Sequence, residues 1–257
     1  VSAPPLSDDT GAAVTPRTPV RRVVSLVPSL TEAVAGTAPG LLVGATDWCS
    51  HPPGLSVTRV GGTKSPDLAR VIALRPDLVL ANFEENRPQD LEALRAAGIA
   101  VWTTVIRTLP EALDSLERAL AACGRPAPSW LRRARATWED VLGEPPAPVR
   151  RAAVPIWRRP WMALGRDTFA GDVLARLGVA NVHADASQRY PRLTPRELAS
   201  GAELLVFPDE PYAFGPQDGP EAFPGVTAAF VSGRDLTWYG PSLVAARGRL
   251  ERALGLP

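Results

Sequence analysis

Two pairs of adjacent carboxylates carry the most chemistry in this chain: Glu84 and Glu85, in ANFEEN, and Asp209 and Glu210, in VFPDEPY. Each pair follows a short apolar run, Leu78 to Ala81 in the first case and Leu204 to Phe207 in the second. Such runs read as buried parallel strands. Ligands of open α/β sheets bind beyond the carboxyl ends of the strands, so both pairs stand where a site would be. There they can bind a ligand cation, hold an arginine, or accept a proton as a general base. Arg158, Arg159 and Arg192 are the natural partners of Asp209 and Glu210, because a guanidinium grips a carboxylate with two parallel donors. Lys64, the sole lysine, can pair with an anionic ligand group or, if burial depresses its pKa, form a Schiff base. The catalytic candidates are therefore Glu84, Glu85, Asp209, Glu210 and Lys64.

Aromatic residues gather at the same places. Of seven tryptophans, Trp48, Trp102, Trp157, Trp161 and Trp238 fall at or near expected strand ends, and flat rings grip a flat ligand at low entropic cost. Trp102 reads as core. The expected ligand-lining set is Ser29, Trp48, His51, Lys64, Phe83, Glu85, Trp157, Arg159, Trp161, Tyr190, Arg192, Asp209, Glu210, Tyr212, Trp238 and Tyr239. Cys49 and His51 form a C-x-H pair without the further ligands of a zinc site, so no metal site is expected. Cys49 and Cys123 give neither a disulfide framework nor a metal spacing; they read as free thiols, with pairing in an oxidising compartment as the alternative. No nucleophile elbow, phosphate-binding loop or dinucleotide fingerprint is present.

The elements that must position these groups alternate. After a Pro-, Ser- and Thr-containing stretch, expected as a flexible or surface-draped lead-in over residues 1–19, RVVSLVPSLTEAV gives a β-branched run, a proline and a helix capped by Ser29 or Thr31. Apolar runs at Leu41 to Val43, Val57 to Val60, Leu78 to Ala81 and Ala100 to Thr104 follow, separated by helical or turn-rich segments. This alternation predicts βαβ units on a mostly parallel sheet. From Pro110 to Gly143 the pattern is helical throughout, and Trp130, Ala134, Trp138 and Val141 form one apolar stripe. Strand-like runs resume at Ala152 to Trp157. The division expected is 1–19 lead-in, 20–108 N-terminal α/β lobe, 109–147 linking helices and 148–257 C-terminal α/β lobe, two lobes that face one cleft.

Composition narrows the partners. The net charge of +1, from 28 basic and 27 acidic residues, offers nothing to a polyanion, so nucleic acid is not expected. No apolar run approaches the roughly 18 residues that span a bilayer. Membrane insertion is therefore not expected. The chain as given carries no export signal, which favours a cytoplasmic location over the extracytoplasmic one that removal of a signal would imply.

Taken together, RVVSLVPSLTEAV, LLVGATDWCSHPP, the Arg59 to Asn86 segment, RPWMALGRDTFAGDVLARLGVANV, YPRLTPRELA and ELLVFPDEPYAF resemble the helical-backbone substrate-binding proteins of ABC importers for cobalamin and metal-chelate siderophores. The likeness runs from Arg22 to the end. It implies two Rossmann-like lobes joined by one long rigid helix, and a monomer holding a small-molecule ligand in the cleft with limited hinge motion. It also implies no intrinsic cofactor, the ligand itself being a flat aromatic molecule, a metal chelate or a corrinoid. Tyr190 keeps an aromatic position of the cobalamin branch, whereas Lys64 stands where the other ring would be. Members that dock to an ABC permease present a glutamate on each lobe; Ala69 replaces the first and Glu197 matches the second. The alternative on the same scaffold is a cytoplasmic biosynthetic enzyme, a cyclase or condensation catalyst, with the Pictet–Spengler type among them.

Overall fold

The computed structural model describes residues 6–256. They divide into two compact units, one of residues 6–105, 111–133 and 239–241, the other of residues 106–110, 134–238 and 242–256. The units thus interleave along the chain, where consecutive ranges were expected.

The first unit is built on a parallel sheet of β1 (Val23–Ser25), β2 (Leu42–Ala45), β3 (Thr58–Arg59), β4 (Leu78–Asn82) and β5 (Val101–Thr104), in the order β3-β2-β1-β4-β5. Every residue of β1, β4 and β5 is buried, as near-continuous apolar runs are in a parallel sheet covered on both faces. Helix α1 (Pro28–Ala35) follows β1, α2 (Leu68–Ala73) leads into β4, and α3 (Pro88–Ala96) joins β4 to β5. Proline opens α1 and α3, where its missing N–H would have no helical partner in any case. Ser29 or Thr31 was expected to cap α1, and neither does. The helix begins at Pro28 and takes both inside, and the Thr31 hydroxyl donates back to the Val27 carbonyl at 3.0 Å. Val24, Leu26, Val60, Val71, Val79 and Leu94 form the core.

Residues 6–19 are draped, and held at their start. Leu6–Ser7 pairs antiparallel with Ala13–Val14. The carboxylates of Asp8 and Asp9 accept from the amides of Thr103 (3.1 Å) and Val105 (3.0 Å), at the end of β5. Asp9 also accepts from Arg118 at 2.8 Å and from Ser115. β5 is an edge strand, and its open amides find their acceptors in these two aspartates. Residues 1–5 of the lead-in lie outside the described residues.

The stretch expected as linking helices carries α4 (Leu109–Ala122) and α5 (Ser129–Trp138), then a 3₁₀ turn at Glu139–Val141. Each unit takes part of both helices. Trp130, Ala134 and Trp138 are buried. Val141 is only half-buried, since the tighter 3₁₀ turn rotates it off the α-helical stripe.

The second unit has a parallel sheet of β6 (Arg150–Ala153), β7 (Val179–Asn181), β8 (Leu204–Pro208) and β9 (Thr227–Val231), ordered β7-β6-β8-β9. Ala152 to Trp157, expected as one strand, is shared between β6 and a hairpin that pairs Pro155–Trp157 with Met162–Ala163. Around the sheet lie α6 (Phe169–Arg176), α7 (Pro195–Ala199), α8 (Gly233–Thr237) and α9 (Leu243–Leu254). Ala153, Leu198, Leu205, Phe207, Phe214 and Phe223 form its core.

Trp138 is wholly buried in this unit, its indole N–H donates to the Leu243 carbonyl at 2.9 Å, and Arg247 lies 5.9 Å over its ring. Trp138→Ala should therefore cost about 3–5 kcal/mol. Equilibrium denaturation in urea measures it, and a loss below about 1 kcal/mol would contradict this packing.

Candidate functional site

In both sheets the strand order reverses beside the first strand of the unit, and the loops that leave on either side of the reversal open a crevice at the carboxyl ends. In the first unit these loops follow β1 and β4, and two buried asparagines shape them. Asn82, the last residue of β4, accepts from the amides of Glu84 (2.9 Å) and Glu85 (3.3 Å) and donates to the carbonyl and hydroxyl of Thr104. Asn86 accepts from the Asn82 amide at 2.9 Å, and its NH₂ donates to the carbonyls of Thr63 (2.9 Å) and Leu26 (3.3 Å). Four loop or strand-end segments are thereby tied together. Between the two asparagines the chain turns outward, and Phe83 is 56% exposed.

Lys64, on the turn between the paired segments Gly61–Gly62 and Ser65–Pro66, donates to the Glu84 carbonyl. Glu85 is exposed, and desolvation in its loop still raises its carboxyl above the ordinary range, opposed by Lys64 and reinforced by Glu84. Trp48, at 69% exposure, is the most open aromatic of the loop after β2. His51 is half-buried with Ser50 Oγ at 3.0 Å from its Nδ1. Ser29 is buried within α1, and Tyr239 is buried as well. Cys49 and Cys123 are free and buried. Burial raises the Cys49 thiol, which lies between the hydroxyls of Thr31 (3.0 Å) and Thr46 (3.1 Å). Burial pushes Cys123 up to about 12.

In the second unit the crevice lies between the loops after β6 and β8. Arg158 was expected to hold Asp209 or Glu210. Its guanidinium instead binds Asp218 and, at 2.5 Å, Glu221, and lies 5.3 Å over the ring of Trp161. The second oxygen of Asp218 accepts from the Tyr212 hydroxyl at 2.7 Å, and Glu221 also accepts from the Gly219 amide at 2.6 Å. The Tyr212 hydrogen bond, then Arg158, hold the Asp218 carboxyl below the ordinary range. The Gly219 amide, then Arg158, do so for Glu221. Asp209 is spent locally, accepting from the Gly233 amide at the start of α8 at 2.6 Å. Glu210 bonds the Trp238 side chain; desolvation and Asp209 raise its carboxyl, with Arg234 opposing. A Cβ at Gly233 would overlap Glu210 Cγ, so glycine is what lets this loop close on α8.

Trp161 stacks on Phe214 (5.9 Å) and meets Phe223 edge-on (5.0 Å), packed against the core, and Trp238 is buried. Trp157 is 42% exposed and Tyr190 39%. Arg159 and Arg192 are exposed. Arg159 holds a backbone φ of +64°, a left-handed conformation that costs a non-glycine residue about 1–3 kcal/mol and often marks a functional loop. Met162, Ser187, Gln188, Tyr190, Pro191, Arg192 and Leu193 line an open depression of about 660 Å³. Among the described residues, no group of three or more His, Cys, Asp or Glu is placed to hold a metal ion, and no helix is long and apolar enough to cross a membrane.

The vitamin B12-binding protein of Vibrio cholerae is 24% identical over 200 residues, 75% of this chain and 71% of that protein. That of Salmonella typhimurium is 28% identical over 188 residues, 69% and 68% of the two chains. Among solved structures, the periplasmic vitamin B12-binding protein of V. cholerae superposes with a TM-score of 0.75 at 21% identity, covering 92% of this chain and 97% of that one. The chain is similar to these proteins in sequence and shares their fold. The same fold recurs in a periplasmic haem-binding protein from Roseiflexus (TM-score 0.73, 21% identity, 91% and 97% covered). It recurs again in a nickel-bound protein from Helicobacter pylori (TM-score 0.79, 14% identity, 98% and 89% covered). No family model matches the chain.

Asn82 and the pair Asp218 and Glu221 were missed in the sequence. An asparagine closing a buried strand just before two acids was the available signal for the first. Asn86→Asp should turn a carboxylate onto the Leu26 and Thr63 carbonyls and leave both without a donor, lowering stability by about 1–3 kcal/mol. Faster hydrogen exchange at residues 83–86 would accompany the loss. For Asp218 and Glu221, folded values below the unfolded ones mean that their contribution is complete above about pH 4–5 and is lost as pH falls through the lower, folded values. Near-UV circular dichroism of the tryptophans should accordingly change on acidification below that window before the far-UV signal does; simultaneous loss would show that the loop has no separate titration.

Proposed function

We propose that this protein captures a flat small molecule, a metal chelate or corrinoid-like ligand, at the strand-end loops of its α/β units. The observation that supports it best is the set of exposed rings at those ends, Trp48 and Phe83 in the first unit and Trp157 and Tyr190 in the second. Solvent-exposed rings among polar groups on an otherwise buried sheet end suit a ligand with a flat apolar face and a polar rim. The relatives' names point the same way, to vitamin B12 and haem. Arg159 and Arg192 are available to acidic groups on such a ligand. The chelate arrives as cargo.

The catalytic alternative is not favoured. Lys64 is engaged by the Glu84 carbonyl and Asp209 by the Gly233 amide, which leaves neither poised over a substrate. A cytoplasmic setting is likewise unsupported, since the matched vitamin B12-binding and Roseiflexus haem-binding structures are of periplasmic proteins, and we place the protein outside the cytoplasm. ABC import is the wider setting of this reading. Its permease contact would differ from the two-glutamate pattern: exposed Ala69 offers no carboxylate, and Glu197 closes a capping box with Thr194 at the start of α7.

Titration with haemin, cyanocobalamin and a ferric siderophore, followed by tryptophan quenching and calorimetry, tests this reading. Saturable one-to-one binding of one of them is expected, with Trp48→Ala and Phe83→Ala each weakening it about tenfold while Trp130→Phe leaves it unchanged. Absence of binding by all three would refute the flat-chelate assignment.

A further inference from the structure

The loop after β8 carries a closed chain of contacts that ends on an exposed ring. Arg158 lies just past the hairpin strand Pro155–Trp157, with 17% of its side chain exposed. One terminal nitrogen binds Asp218 and the other Glu221, and the guanidinium covers Trp161. With these contacts made, Arg158 has little left to offer a ligand. Asp218 passes the constraint on: its other oxygen fixes the Tyr212 hydroxyl. Tyr212 in turn packs against Phe214 at 4.6 Å and meets Trp157 edge-on at 5.7 Å and 80°. Trp157 is the most exposed tryptophan of the second unit.

We propose that Arg158 is a positioning residue that fixes the ring of Trp157 for the ligand, acting through Asp218 and Tyr212. The proposal rests on the ligand reading above, in which Trp157 is a contact. An exposed indole turns about two side-chain bonds, and ordering it at the moment of binding costs affinity; a ring already held edge-on by a fixed tyrosine has met that cost beforehand. Arginine suits the role because two carboxylates on one loop need two donors in a rigid plane, which lysine does not supply. The same network closes the loop on itself, since the backbones of Gly215 and Asp218 exchange hydrogen bonds of 3.1 and 3.0 Å. Tyr212 is therefore held through its hydroxyl, its ring and its own loop.

The test uses haemin and cyanocobalamin as probes and the variants Arg158→Met, Arg158→Lys, Tyr212→Phe, Arg158→Met/Tyr212→Phe and Trp157→Ala. Tyr212→Phe removes one oxygen and keeps the ring, so it stays informative even if Arg158→Met loosens the whole loop. Arg158→Met, Arg158→Lys and Tyr212→Phe should each weaken probe binding about three- to tenfold, through faster dissociation with association unchanged. The double variant should be no weaker than the worse single one, because both changes break one chain. In protein labelled with 5-fluorotryptophan, the Trp157 fluorine resonance, assigned by Trp157→Phe, should shift or broaden in both single variants with no ligand present.

Weakened binding in Trp157→Ala with wild-type binding in Arg158→Met and Tyr212→Phe would overturn the inference and leave the ligand reading standing. Full additivity in the double variant would overturn it too. If Trp157→Ala binds a probe as the wild type does, Trp157 is no contact and the positioning role falls with it. If neither probe binds, the ligand reading has failed for those probes, and the fluorine resonance decides separately: unmoved in Arg158→Met and Tyr212→Phe, it overturns the positioning of Trp157; displaced in both, it upholds it.

Discussion

Reversal of strand order in a parallel sheet is the constraint from which the site follows. Where the chain winds one way from the first strand and then the other, loops depart from adjacent strand ends in opposite directions and leave their main-chain groups without strand partners. Those groups must be satisfied by something other than a ladder. In the first unit the gap beside β1 is closed by Asn82 and Asn86, neutral side chains that both donate and accept. That choice suits a buried place, because an amide costs far less to bury than a charge. In the second unit the loops after β6 and β8 are held together by charged side chains instead, Arg158 with Asp218 and Glu221. Both carboxylates are about half exposed, so their desolvation is modest and the ions are tolerated. One geometric problem has a neutral solution in one unit and an ionic one in the other.

This constraint divides residues of the same type into different employments. Arg158 is committed to its own loop, while Arg159 beside it is exposed on a strained backbone. Asp209 is spent on the first turn of α8, whereas Glu210 reaches the indole of Trp238. Among the rings, Trp161 completes the core with Phe214 and Phe223, Trp138 anchors α9, and Trp48 and Trp157 remain open to solvent. Burial and partnership decide these roles. Residue type alone does not.

The strands were legible because continuous apolar runs have few alternatives: Leu78 to Ala81 and Leu204 to Phe207 sit within β4 and β8, and the acids after them lie at the carboxyl ends as their position predicts. Helix starts were less legible. Ser29 and Thr31 compete with a proline that opens a helix without any side-chain cap, and the proline prevails. The pairing of Arg158 was beyond reach for a physical reason: Asp218 and Glu221 lie some sixty residues away along the chain, on a turn whose path is set by aromatic packing that no local pattern encodes. The ring census had the same limit. Tryptophans at strand ends look alike in sequence, and only the packing of Phe207, Phe214 and Phe223 separates half-buried Trp161 from open Trp157.

Solved structures share this fold at 14–24% identity, which is what interchangeable core residues allow. Apolar strand positions tolerate replacement if volume and pattern are kept, so a sheet persists long after its sequence has drifted. Loop rings are under a different pressure. An exposed aromatic side chain leaves apolar area in water at about 25 cal/mol per Å², so each ring that a ligand covers over some 80–100 Å² returns about 2 kcal/mol. Four such rings, Trp48, Phe83, Trp157 and Tyr190, are left open at strand ends in a protein that elsewhere buries Trp102, Trp130, Trp138 and Trp238. A folding chain with no ligand to bind gains nothing from that exposure. Carrying it is intelligible when the area is reserved for a flat molecule whose burial recovers it.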